Sequence, residues 1–206
     1  MREKCYKCMR PDSQCLCGEI FPIETSTLFV ILIHTHEFKK VKNNTGRMTH
    51  LSLKNSEMHM GVSFAEHKRV NELIKNTNCY VLYPGKSAIE VSDIPTKKNN
   101  TIFIIDSTWP CSKKLMRLSP NLVALPKISF NIAAKSIYKF KRQPKDYCLS
   151  TIESVKVVLE QLDTSNLESI DKSQTQDFLN PFKKMIQTQI DFRNDPNITG
   201  YRRGKS

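Results

Sequence analysis

Apolar residues in this chain fall into short runs separated by polar, turn-forming stretches. Residues 26–33 (Ser-Thr-Leu-Phe-Val-Ile-Leu-Ile) form one run, followed by His34-Thr35-His36-Glu37 and a basic loop at Lys39-Lys40-Val41-Lys42. Residues 79–83 form a second, stopped by Pro84-Gly85, and residues 101–105 a third, ending in Asp106-Ser107-Thr108-Trp109. Such runs bounded by turn residues predict strands buried on both faces. Helical spacing lies between them. Met48, Leu51 and Leu53 give a partial pattern after Asn44-Thr45-Gly46-Arg47, and residues 65–76 turn Val70, Leu73 and Ile74 inward. Residues 112–118 predict a short helix with Lys113, Lys114 and Arg117 on its surface. Residues 122–126 predict a short strand ended by proline, and residues 136–141 alternate as a half-buried strand does. Ser150 and Glu153 offer a capping signature before Val155, Val158, Leu159 and Leu162 at helical spacing. A polar linker at 164–173 leads to a helix over 174–192, with Pro181 near its first turns or dividing it in two, and then a basic tail at 201–205. Strands alternating with helices predict an α/β fold with a largely parallel sheet.

Length and charge narrow the picture. The 206 residues suit one main domain with a small appendage. No stretch approaches the roughly 20 apolar residues that span a bilayer, and the first residues carry no apolar signal region, so we expect a cytoplasmic protein without a membrane partner. The net charge of +12 is unevenly spread: residues 151–206 hold eight basic and eight acidic side chains, leaving 24 and 12 for residues 1–150. A basic domain of this kind suits RNA, because phosphate neutralisation drives sequence-independent affinity; simple solubility is the other reading. No GxGxxG turn or Walker loop is present, which weakens dinucleotide and nucleoside-triphosphate readings.

Four of the seven cysteines cluster as Cys5-x2-Cys8-x6-Cys15-x-Cys17. Without an export signal a disulfide framework is not expected. Paired thiols at close spacing match tetrahedral zinc, and a closed four-sulfur site would be structural, with no open position for a reacting water. Cys79, Cys111 and Cys148 read as small buried hydrophobes. His34 and His36 lack a third ligand at useful spacing, which argues against a catalytic metal there.

Ligands of open α/β sheets bind beyond the carboxyl ends of the strands, and there this chain gathers its polar chemistry. The order of these features resembles the DTW-domain family, the tRNA-uridine aminocarboxypropyltransferases. The matching features are the cysteine knuckle, His34-x2-Glu37, Asn44-Thr45-Gly46-Arg47, Leu82-Tyr83-Pro84-Gly85 and Asp106-x-Thr108-Trp109, then Tyr138-x3-Arg142-x-Pro144 and Leu149-Ser150-Thr151-Ile152-Glu153. Each is unspecific alone; in order, they cover about three quarters of the chain. Thr35, after the histidine, and Pro110-Cys111, after the tryptophan, depart from the usual pattern.

The resemblance implies a SPOUT-like core with a trefoil knot towards the C-terminus. It also implies transfer of the 3-amino-3-carboxypropyl group of S-adenosylmethionine to N3 of a tRNA uridine. The expected organisation is a zinc knuckle at 1–22, the transferase core at 23–163 and a helical extension with basic tail at 164–206. Asp106, Thr108 and Trp109 are the candidate catalytic group. Asp106 has three open roles: general base towards uridine N3, anchor of the cofactor's amino group, or cap of its own turn. Trp109 is either a stacking platform for a flipped base or a core residue. Leu82, Tyr83, Pro84, Gly85, Leu125, Tyr138, Ser150, Thr151 and Glu153 are cofactor-binding candidates, with helix capping alone sufficient for Ser150 and Glu153. Arg47, Lys113, Lys114, Arg117 and Arg142 are RNA-binding candidates, and the two flanking arginines also suit the cofactor's carboxylate. The metal ligands are Cys5, Cys8, Cys15 and Cys17. A SPOUT-like RNA methyltransferase and a non-catalytic zinc-knuckle RNA-binding protein are the alternatives. A monomer and a knot-mediated homodimer both remain open.

Overall fold

A computed structural model of the chain describes residues 3–35, 38, 44–95, 98–130, 136–138 and 149–195. Six strands form one sheet: β1 (Leu28–His34), β2 (Ser56–Gly61), β3 (Asn78–Leu82), β4 (Ile89–Glu90), β5 (Asn100–Asp106) and β6 (Lys127–Ser129). Their spatial order is β2-β1-β5-β3-β6-β4, and every adjacent pair is parallel. The helices are α1 (Thr45–Leu51), α2 (Lys68–Asn76), α3 (Trp109–Arg117), α4 (Pro120–Val123), α5 (Thr151–Thr164), α6 (Lys172–Asp177) and α7 (Asn180–Asn194).

The central strands are apolar through their middles because both faces are covered. Val30, Leu32, Val81 and Phe103 pack with Val70 and Leu73 of α2 and Leu115 and Met116 of α3. On the other face, Phe29, Tyr80, Ile102 and Ile104 meet Met48 of α1, Ile152, Val155, Val158, Leu159 and Leu162 of α5, and Phe182, Met185 and Ile186 of α7. Leu16, between the last two cysteines of the knuckle, joins this second core at 2% exposure.

Several elements differ from the sequence expectations. β2 was not foreseen: it is an edge strand, half-buried along most of its length, so its sequence Ser-Glu-Met-His-Met-Gly carries no apolar run. The expected strand at 122–126 does not form. Residues 120–123 make the short helix α4, and β6 begins only after Pro126. That proline cannot donate to a ladder, but its carbonyl accepts from the Val81 amide at 3.0 Å, a strand-entry role. Residues 136–138 are not in a strand, and the rest of the expected strand at 139–141 lies outside the described residues. The 164–173 segment is not a solvated linker, because Ile170 is buried and Leu167 packs on the core. Pro181 divides the C-terminal helix, standing in the first turn of α7, where a missing N–H costs nothing. Pro110 likewise sits in the first turn of α3, so the departure at 110 is accommodated. Cys79 is buried as expected and Cys111 half-buried. Among the described residues no helix is long and apolar enough to cross a membrane.

Candidate functional site

β5 ends on Asp106, and the carboxylate is only 6% exposed. Its Oδ2 accepts from Asn44 Nδ2 at 2.9 Å and its Oδ1 from Thr151 Oγ1 at 2.5 Å. Asn44 is also the N-cap of α1, its Oδ1 accepting from the Arg47 amide at 2.7 Å, which fixes the amide's orientation towards Asp106. Thr151 is the first residue of α5. Gly46 lies directly against the acid: a Cβ there would stand 2.4 Å from Asp106 Oδ2. Three chain segments distant in sequence thus converge on one carboxylate, and the first turn of α5 adds a favourable dipole.

A second buried acid lies next to it. Glu153, 5% exposed, accepts from the Ser150 amide at 2.8 Å and the Ser150 hydroxyl at 2.6 Å. It also accepts from the Ile137 amide at 2.8 Å and from Ser136 Oγ at 2.8 and 3.1 Å. Glu153 therefore caps α5 and also fastens residues 136–137 to it.

The aromatic and basic candidates lie on the helices that follow β5 and β1 in the chain. Trp109 opens α3 at 36% exposure, and its ring meets Tyr83 edge-on with centroids 6.3 Å apart. Thr108 is the exposed N-cap of α3. Lys113, Lys114 and Arg117 are exposed on α3. The guanidinium of Arg47 lies 4.9 Å from the centre of the Phe38 ring, a cation–π contact.

The cofactor-binding candidates do not form a single wall. Leu82 and Tyr138 pack on the core containing α5 and α7, with Tyr138 edge-on to Phe182 at 5.2 Å. Tyr83 and Leu125 pack on the opposite core. Pro84 and Gly85 are exposed at the end of β3. Ser150, Thr151 and Glu153 are tied into the hydrogen bonds above. Arg142, together with His36, Glu37, Lys39, Lys40, Lys42, Cys148 and the tail at 201–205, lies outside the described residues.

The four sulfurs of Cys5, Cys8, Cys15 and Cys17 lie within 4.8 Å of one another. The Cys5–Cys17 and Cys8–Cys15 separations are 3.5 and 3.8 Å. Tetrahedral zinc with bonds of about 2.3 Å needs sulfurs about 3.8 Å apart, so the donor set fits such an ion. The amides of Cys8 and Lys7 pull the Cys5 thiol down to about 6, whereas burial and the neighbouring thiols push Cys17 up to about 12. Four adjacent thiolates repel, and a bound cation is what permits all of them to ionise.

The sequence pattern singles out Asp106 and, as a cofactor contact, Thr151, but not the other residues that hold the acid. Asn44 and Gly46 belong to a quoted motif yet were given no role. The available signal was an Asn at an N-cap followed by a glycine at a helix start. Ser136, which binds Glu153, carried only the alternation of a strand that does not form at 136–138, and Arg10, inside the knuckle, carried no signal of its own.

Residues 2–190 match the DTW domain family. The chain is similar to the "tRNA-uridine aminocarboxypropyltransferase 2" of Drosophila melanogaster, with 29% identity over 161 residues covering 74% of this chain and 64% of the relative. It is also similar to the Mus musculus protein of the same name, with 29% identity over 175 residues covering 80% of this chain and 58% of the relative. The chain spans about three fifths of the length of these curated relatives.

Proposed function

Because this chain belongs to the DTW-domain family, we propose that it transfers the 3-amino-3-carboxypropyl group of S-adenosylmethionine to N3 of a uridine in tRNA. The observation that carries this reading is the convergence on Asp106 of Asn44, Gly46 and Thr151, with the exposed Trp109 opening the next helix. Such a fixed acid beside an accessible aromatic suits a reaction in which one atom of an unstacked base must be held and deprotonated. The names of the relatives support the same chemistry.

The donor's sulfonium supplies an electrophilic methylene and a neutral leaving group. The protein's tasks are then selection, orientation and proton removal. In this reading Trp109, with Tyr83 at its edge, stacks on the uracil, and Thr108 offers its hydroxyl to a uracil carbonyl. Asp106 accepts the N3 proton, directly or through the Thr151 hydroxyl that it binds. Each carboxylate oxygen keeps a second lone pair beyond the bond it already accepts. The bonds from Asn44 and Thr151 fix the direction in which the carboxylate points. The loops after β3 and before β6, with Leu82 to Gly85 and Leu125, flank the donor's adenosine. Lys113, Lys114, Arg117, Arg47 and Arg142 neutralise RNA phosphate.

A SPOUT-like trefoil knot in the C-terminal part of the core belongs to the same proposal. The all-parallel sheet and the fastening of residues 136–137 to the start of α5 support it. We assign structural zinc to the four-cysteine cluster on the sulfur spacing.

Incubation with unmodified tRNA and S-adenosylmethionine, then nucleoside mass spectrometry, tests the function. Aminocarboxypropyl-uridine is expected. A methylated base would instead establish an RNA methyltransferase, and tRNA binding without any new nucleoside a non-catalytic RNA-binding protein.

A further inference from the structure

Arg10 lies inside the cysteine knuckle, two residues after Cys8, and is 7% exposed. Its backbone carbonyl accepts from the Cys5 amide at 2.8 Å, so the residue closes the turn that presents the first two cysteines. Met9, just before it, adopts the left-handed conformation with φ 60°, which turns the chain back on itself. The side chain points inward, and its Nη2 is buried without a hydrogen-bond partner.

A buried guanidinium with an unmade bond is costly, and buried charges are normally paired. Among the described residues, the acidic groups acting on Arg10 are Cys8 and Tyr138. Tyrosine offers a phenol rather than a standing negative charge. Cysteine becomes a permanent anion only when a metal holds its thiolate. A zinc dication on four thiolates is a net dianion, and half-buried dianions need compensation by nearby charge or N–H donors.

We propose that Arg10 is the built-in counter-cation of the four-cysteine metal site, its guanidinium balancing the excess negative charge of the loaded cluster. The inference rests on the metal reading of that cluster. Arg10 is then destabilising in the metal-free protein and stabilising in the loaded one. It is a positioning residue rather than a ligand.

The opposite signs in the two states make the inference testable in the full chain. Zinc affinity is measured by competition with a chromophoric chelator for the wild type, Arg10→Met and Arg10→Lys. Melting is followed for each protein with zinc and after chelation. For Arg10→Met we expect zinc affinity to fall at least tenfold and the loaded protein to melt lower than the loaded wild type. The metal-free variant should melt no lower than the metal-free wild type. Arg10→Lys, which keeps the charge but not the fork, should lose less affinity. Wild-type affinity in Arg10→Met, or an equal melting loss with and without zinc, would overturn the role of Arg10 while leaving the metal site standing. A wild-type chain that takes up no zinc would overturn the metal reading itself and the inference with it.

Discussion

Asp106 is held so closely that its neighbours are as testable as the acid. Removing it as Asp106→Ala should abolish aminocarboxypropyl transfer while tRNA binding persists, measured by nucleoside mass spectrometry beside a filter-binding assay. Near-normal turnover in that variant would remove Asp106 from the mechanism. Gly46→Ala leaves the acid in place but sets a methyl 2.4 Å from Oδ2, inside any permissible contact. Such overpacking costs about 1–3 kcal/mol, and in a chain of this size each kcal/mol lowers the melting temperature by about 2–4 °C. We expect Gly46→Ala to melt several degrees lower and to lose most activity, because the carboxylate must move. Full activity in Gly46→Ala would show that the acid's position is not critical. The sequence made the acid visible because a polar residue after an apolar run stands out. Its contacts were not, since those between positions 44, 106 and 151 arise only when three segments are folded together.

The same asymmetry holds for whole elements. β1, β5 and α5 were legible because each buries a full face or stripe, and burial imposes a period on the sequence. β2 and β4 lie at the sheet's edges, where a half-wet strand needs no such period, and α4 is too short to display one. Residues 136–138 looked like a strand because they open the alternating stretch 136–141, yet Glu153 holds Ser136 and Ile137 instead of a ladder. Glu153→Gln keeps the shape but turns an amide towards donors. At about 1.5–3 kcal/mol for a hydrogen bond to a charged group, calorimetry should record a melting loss of several degrees. An unchanged melting point would show that the fastening is idle. Acid should also loosen the β2 edge. Burial first, then Arg47 and His59, holds His50 below its ordinary 6.5, and burial with His59 does the same to His67. A histidine with a depressed folded pKa favours the neutral form, so its contribution is complete above about 6.5 and is lost as pH falls through that value towards the folded one. Stability should decline between about pH 7.5 and 5.5, a window in which carboxylates stay ionised. His50→Asn, which keeps a nitrogen near Ser56, should show a smaller decline; an identical decline would locate the effect elsewhere.

At the scale of the molecule, charge and fold divide the chain differently. The helices after residue 150 are electrically balanced and complete one core, whereas the excess of positive charge belongs entirely to residues 1–150. Neutral helices packed on the sheet add little to the field that a polyanion meets, so tRNA affinity should reside in the first 150 residues and depend steeply on salt. Each phosphate contact contributes about 0.7–0.9 to the slope of log affinity against log salt, according to strandedness. Lys113, Lys114 and Arg117 share the exposed face of α3, the helix that Trp109 opens. If all three meet phosphate, the triple change Lys113→Ser, Lys114→Ser and Arg117→Ser should reduce the slope by about 2–3. The effect should be similar for different tRNAs, since phosphate contacts position the RNA without reading its sequence. The control is Lys172→Ser with Lys183→Ser, on the balanced segment, which should leave the slope unchanged. An unaltered slope in the α3 variant, or an equal drop in the control, would move the RNA away from the strand end where Asp106 and Trp109 stand. The site would then have to be sought along another basic face of the same 150 residues.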